Sequence, residues 1–180
     1  TELKNFISRD SYSILSEPSI ELEALTEKVM AVLRSKFWQN VLSGTDIRTE
    51  FTIMTGIDDD ILLGTLDRVY RDRDGLWTVL DFKTDTVDSE TLARKQAEYE
   101  AQLKFYSLLV RKYFGADRVL SCLLFSELPE HPVQVVYSAG ELDAFEQELR
   151  INISRIRARE FSRPGAPCVG CPFLPSGCTF

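Results

Sequence analysis

Two aspartates and a lysine sit in apolar company in the stretches Gly64-Thr-Leu-Asp67-Arg68-Val-Tyr and Val79-Leu-Asp81-Phe-Lys83-Thr84-Asp85. The runs from Ile61 to Leu66 and from Leu76 to Phe82 read as strands, and Arg71-Asp-Arg-Asp-Gly75 between them ends in an Asp-Gly turn signal. A three-residue loop of Arg73, Asp74 and Gly75, with Gly75 left-handed, sets Asp72 against Leu76 and Asp67 directly opposite Asp81. Like charges facing each other across a strand pair are destabilising. Such a pair beside apolar neighbours calls for a cation. Lys83 lies two residues past Asp81 and so projects from the same face. Acid, acid and lysine on one face are the chemical core of a metal-dependent phosphodiesterase.

The rest of the chain frames this hairpin. Both of its faces are apolar, with Leu63, Val69, Trp77 and Val79 on one and Leu62, Leu66, Leu80 and Phe82 on the other. That pattern predicts an interior place in a sheet covered by helices on both sides, where an unpaired charge is costly. Upstream, Ser19 to Val41 has helical spacing through Leu22, Leu25, Val29, Val32 and Leu33, with Ser19 as N-cap and Gly44 just past the end. Ile47 to Thr55 reads as a strand carrying Glu50, and Asp58-Asp-Asp60 as a solvated turn. Asp88 or Ser89 caps a helix running to Phe114, with Leu92, Tyr99, Leu103, Tyr106, Val110 and Tyr113 as its stripe and Gly115 as its stop. Val119 to Phe125 and Val133 to Tyr137 are strands. A last helix spans Glu141 to Phe161, with Leu142, Phe145, Leu149, Ile153 and Ile156 on one face. Helix, three strands, helix, two strands, helix predicts an α/β fold: a central mixed sheet flanked by helices in three layers.

Length and charge limit the function classes. The 180 residues suffice for one domain with a core. A net charge of −7 argues against a nonspecific coat on nucleic acid, but a nuclease needs acids at its metal and only local basic contacts. No apolar run approaches a membrane span and no signal peptide stands at the start, so a cytoplasmic protein is expected. Thr1 in place of Met, and a first helix without a clean start, point to a domain cut from a longer chain. Arg150, Arg155, Arg157, Arg159 and Arg163 either bind backbone phosphates or complement the end of the last helix. Four cysteines favour metal or free thiols over disulfides. Cys122, in an apolar strand, reads as a core thiol. Cys168-x-x-Cys171 and Cys178 lie in a Pro- and Gly-rich tail, 164–180, and suit a structural metal or an iron–sulfur cluster, or are free thiols.

A hard cation such as Mg²⁺ wants oxygen ligands and takes few of them from protein. Asp67 and Asp81 supply charge and leave room for water and a phosphate oxygen, with the Phe82 carbonyl as a further ligand. The alternative is a salt-bridged hairpin in which Lys83 only neutralises the acids.

Gly64-x-x-Asp67-Arg68, Asp81-Phe-Lys83-Thr84-Asp85 and Gln102-x-x-x-Tyr106, in that order, resemble the PD-(D/E)xK nuclease superfamily. More closely, they are similar to the C-terminal nuclease domain of RecB- and AddA-type helicase–nucleases. The Asp-Phe-Lys-Thr-Asp run or the Gln-x-x-x-Tyr helix would be weak alone, and together they are specific. The resemblance implies a restriction-endonuclease-like fold over a single domain, 1–180. It implies a Mg²⁺- or Mn²⁺-dependent exonuclease acting on single-stranded DNA ends in double-strand break repair and recombination. A helicase motor in the same polypeptide and a partner subunit go with it. Asp67 and Asp81 would be metal ligands and Lys83 the catalytic lysine. Glu50 would be an auxiliary ligand or a water-positioning group, or else an exposed strand glutamate. Gln102 and Tyr106, one turn apart on a helix face, would contact DNA or orient the catalytic residues. Arg68 would touch a phosphate or pair with a neighbouring acid. Some relatives join a C-terminal cysteine triplet to an upstream cysteine to hold a four-iron cluster; here Cys168, Cys171 and Cys178 are present without the upstream partner. The family's upstream metal-binding histidine is also unmatched, since the one histidine, His131, falls in a Pro-flanked turn and has no expected role. Two alternatives stand beside this reading: an inactive nuclease-fold module for DNA holding or subunit docking, and a stand-alone or CRISPR-type exonuclease.

Overall fold

The computed structural model describes residues 22–160. These divide into two units, up to Phe145 and from Glu146. The chain runs α1 (Leu22–Arg34), α2 (Lys36–Leu42), β1 (Thr45–Ile57), β2 (Asp60–Arg71), β3 (Trp77–Lys83), α3 (Leu92–Phe114), β4 (Arg118–Phe125), β5 (Val133–Ser138) and α4 (Ala139–Arg157). The five strands form one sheet in the order β1-β2-β3-β4-β5. Only β3 and β4 are parallel, and α3 makes the crossover between them. The expected mixed sheet flanked by helices is therefore what the chain folds into.

The expected hairpin forms in the expected register. Gly75 is left-handed at φ 77, and the Asp72 amide donates to the Leu76 carbonyl at 3.0 Å. Asp72 Oδ1 also accepts the amides of Asp74 and Leu76, an Asx turn that fixes the loop. The ladder pairs Arg71 with Trp77, Tyr70 with Thr78, Val69 with Val79 and Arg68 with Leu80. The next position in that register is Asp67 against Asp81.

Alternation along β3 splits its side chains between two helical layers. Leu80 joins Trp38, Val41, Tyr70, Cys122 and Leu124 in a buried cluster, with Val32 and Phe37 packed against it. On the other side Trp77 stacks on Phe114 of α3, ring centroids 3.7 Å apart. Ser107 of α3 is hydrogen-bonded to Ser121 of β4 in the interior. The close approach of α3 to β2 depends on Gly64, where an added Cβ would lie 2.6 Å from Leu109 Cδ1.

Four expectations are corrected. The single helix over 19–41 is two helices, because Ser35 adopts an extended backbone and its Oγ accepts the Trp38 amide at 3.0 Å. Ser35 thus caps α2 and ends α1; the expected cap at Ser19 lies outside the described residues. The start of α3 falls at Leu92, not after Asp88 or Ser89. The Asp88 carboxylate accepts the amides of Glu90 and Thr91 and the Thr91 hydroxyl, making a turn ahead of the helix. The last helix ends at Arg157, and of its expected stripe only Leu142 is fully buried. Finally, the hairpin is not covered on both faces along its whole length. Met54, Ile61 and Leu63 are 63, 66 and 59 % exposed, and Phe82 is 39 % exposed. β1 and β2 have 13 and 12 residues against 7 in β3. Their distal arm therefore runs past the sheet, and α3 packs on one side of it only. No helix among the described residues is long and apolar enough to cross a membrane.

Candidate active site

The site forms where β2 and β3 lose their backbone pairing. The β1–β2 ladder pairs Thr49 with Arg68 and Phe51 with Leu66 but skips Glu50 and Asp67. Glu50 is left-handed at φ 48, a conformation rare for a residue with a Cβ. On the other side of β2 the pairing stops at Arg68–Leu80. There the Asp67 side chain takes over, its Oδ2 accepting the Phe82 amide at 2.8 Å. Asp67 Oδ1 accepts no hydrogen bond among the described residues.

Asp81 is 3 % exposed. Lys83 Nζ lies 2.6 Å from its Oδ2, a buried ion pair. Gln102 bridges the pair. Its Oε1 accepts from Lys83 Nζ at 3.1 Å, and its Nε2 donates to Asp81 Oδ1 at 3.3 Å and to the Tyr106 hydroxyl at 3.0 Å. Burial raises the Asp81 pKa; the Lys83 ammonium beside it pulls the other way, and the Asp67 charge adds to the rise. The net direction is upward, so the lysine does not fully compensate for the lost water.

Asp67, Asp81, Lys83, Gln102 and Tyr106 are thus one constellation. Glu50 is exposed and does not complete a triad: among the described residues no group of three or more His, Cys, Asp or Glu side chains is placed to hold a metal ion. What remains is a two-carboxylate cradle in which one Asp67 oxygen accepts no hydrogen bond among the described residues and a buried Asp81 oxygen faces the Lys83 ammonium. It suits a hard cation that keeps most of its water. His131 is exposed in its turn. Arg68 makes no ion pair among the described residues; its guanidinium lies over the Trp38 ring at 4.7 Å, and burial lowers its pKa. Cys122 is buried and free, its thiol pushed up to about 12 by burial. Cys168, Cys171, Cys178 and Arg163 lie outside the described residues. Arg150, within the second unit, pairs with Glu146.

Two neighbours of Lys83, Tyr99 and Lys95, are given no place at the site by the sequence, and Asp85 is given one only as part of the Asp-Phe-Lys-Thr-Asp run. The Lys83 ammonium sits 4.2 Å from the Tyr99 ring centroid, and Asp85 and Lys95 tie that tyrosine down. Tyr99 reads as a core position by periodicity. The usable signal was its place three residues before Gln102, on the same helix face.

A carboxylate pair closing the end of a mixed-sheet hairpin, with a lysine and a Gln-x-x-x-Tyr helix over it, defines a class of phosphodiester-cleaving folds. The family model of the PD-(D/E)XK nuclease superfamily matches residues 8–176, and the chain belongs to that superfamily. A crystal structure titled "Putative exonuclease" from Eubacterium rectale superposes with a TM-score of 0.59 at 12 % identity, covering 98 % of this chain and 69 % of that one. SSO0001 matches at a TM-score of 0.41 and 16 % identity, over 85 % of this chain and 68 % of its own. No curated protein matches the sequence.

Proposed function

We propose that this nuclease is a Mg²⁺- or Mn²⁺-dependent deoxyribonuclease that degrades single-stranded DNA from its ends, as the exonuclease domain of a helicase–nuclease in double-strand break repair. The observation that carries this reading is the Asp67–Asp81–Lys83 group, in register at the end of the hairpin and bridged by Gln102. The name of the Eubacterium rectale neighbour favours exonucleolytic action. Asp67 Oδ1 and Asp81 would hold the cation. When bound, that cation lowers the pKa of a water and polarises the phosphoryl oxygen. Lys83 neutralises charge growing on the phosphate. Gln102 holds Lys83 and Asp81 at fixed separation, and Tyr106 fixes Gln102. The helicase setting rests on the Asp-Arg and Gln-x-x-x-Tyr patterns, and a motor encoded in the same reading frame tests it. Cys168, Cys171 and Cys178 would serve a four-iron cluster in the full-length protein, measured as iron and sulfide in anaerobically purified material.

The test is cleavage of end-labelled linear single-stranded DNA, with circular DNA as control and Mg²⁺ or Mn²⁺ titrated in. Asp81→Ala and Lys83→Ala are expected to lose at least about 10²-fold in rate. No cleavage with either metal, or full activity in Asp81→Ala, overturns the reading and leaves an inactive DNA-holding module. Equal cleavage of circles removes the exonuclease assignment.

A further inference from the structure

Lys83 has two demands on it that conflict. Among the described residues its ammonium is the cation paired with the buried Asp81 oxygen, 2.6 Å away. A carboxylate that turns to a divalent cation no longer holds that ammonium, and a lysine on a flexible four-carbon stem is then left with the single Gln102 Oε1 bond at 3.1 Å, which calls for a second anchor. The structure contains one. The Lys83 ammonium lies 4.2 Å from the Tyr99 ring centroid, within the range in which a ring face attracts a cation.

The ring is itself fixed. The Tyr99 hydroxyl donates to Asp85 Oδ2 at 2.8 Å. Lys95 Nζ pairs with the other oxygen, Asp85 Oδ1, at 2.9 Å, and with Glu98 Oε2 at 2.8 Å. Phe125, fully buried, lies against the ring at 6.4 Å between centroids. Lys95, Tyr99, Gln102 and Tyr106 follow one another on α3 at steps of four, three and four residues, which is one helix face. Asp85 stands two residues after Lys83, so the clamp ties the strand exit to that face.

We propose that Tyr99 is a positioning residue for Lys83, its ring face holding the ammonium at the edge of the site when Asp81 engages a cation. The packing of that ring on buried Phe125 places it, and the Asp85 bond adds to a placement the ring keeps without its hydroxyl. The catalytic consequence rests on the nuclease reading above; the placement of Lys83 does not.

Two measurements test it. In protein carrying ¹³C-labelled lysine, the ring current of Tyr99 shifts the Lys83 ε-methylene resonances upfield of the other lysines, with Lys83→Arg giving the assignment. The shift is expected to persist in Tyr99→Phe and to vanish in Tyr99→Leu. A wild-type Lys83 signal among the bulk lysines overturns the proposal. In DNA cleavage, Tyr99→Leu is expected to lower kcat about tenfold with KM little changed, and Tyr99→Phe to keep most of the wild-type rate. In a Lys83→Ala background the Tyr99→Leu change is expected to be silent, since the two act through one contact. A loss carried by KM, or an equal loss in both Tyr99 variants, sinks the positioning role. A shifted Lys83 resonance in a protein that cleaves nothing removes the nuclease reading and leaves the placement standing.

Discussion

Gly64 is where the fold and the site constrain each other most tightly. A Cβ there would meet Leu109 Cδ1 at 2.6 Å, Phe105 Cε1 at 3.3 Å and Tyr106 Cε1 at 3.4 Å. Unstrained carbon contacts lie at about 3.5–4.0 Å, so the leucine overlap is about 1 Å. Leu109 is fully buried and has little room to yield. Overpacking of this kind costs about 1–3 kcal/mol, offset by about 0.5–1 kcal/mol from the lower chain entropy of alanine in the unfolded state. Gly64→Ala is thus expected to destabilise by about 1–2 kcal/mol, a fall in Tm of about 3–6 °C for a domain this size. Gly56 supplies the control. It lies on β1 of the same arm, and a Cβ there meets nothing within 4 Å. Gly56→Ala is expected to stabilise slightly, by up to about 0.5 kcal/mol. Thermal and urea unfolding of both variants decide the matter, together with DNA cleavage. Because the strain falls on the helix segment carrying Tyr106, cleavage by Gly64→Ala drops beyond what its unfolded fraction explains. Equal melting temperatures for the two variants would refute the close-approach argument.

Other consequences can be measured separately. Ser35→Ala removes the cap of α2 and is expected to cost about 1 kcal/mol in urea unfolding; an unchanged midpoint would show that the break between α1 and α2 has another cause. The raised pKa of Asp81 makes the folded state hold a proton the unfolded chain has already released. Its contribution is therefore full below the ordinary aspartate range and is lost as pH rises through the folded value. Carbon-detected titration of the Asp81 carboxyl should show that elevated midpoint, with cleavage failing as pH drops below it, and a midpoint at or below an ordinary aspartate refutes this. Iodoacetamide at about pH 8 should leave Cys122 unmodified until denaturant is added; peptide mapping that finds it labelled in native protein contradicts its burial.

The hairpin register was legible because it follows from local chemistry: an Asp-Gly turn and a left-handed glycine fix the count, and the count sets Asp67 against Asp81. Gln102 and Tyr106 were legible only through the resemblance: a four-residue step puts them on one helix face, but pattern alone makes Tyr106 a core residue and Gln102 a surface one. The break at Ser35 was hidden because apolar spacing continues across it, and only the serine side chain decides between a longer helix and a cap. The exposed arm at Met54, Ile61 and Leu63 was hidden for the opposite reason. Alternation tells which residues share a face, not whether anything packs there, and cover depends on how far α3 extends. Glu50 shows the limit at the site itself. Its place on the strand before Asp67 was readable, but its left-handed backbone and exposure were not. Tyr99 was misread because a tyrosine in an apolar stripe and a tyrosine under an ammonium have the same spacing.

The Asp67 carboxylate serves as a rung of the sheet, standing in for a peptide carbonyl opposite the Phe82 amide. One oxygen is committed to architecture and the other is open, so a cation held here would meet this aspartate through a single oxygen. The Phe82 amide proton then becomes a gauge of the site. Its exchange with solvent slows or quickens with whatever load Asp67 carries, and Asp67→Ala opens it outright. Hydrogen exchange at one backbone position can therefore report filling of the site without any substrate present.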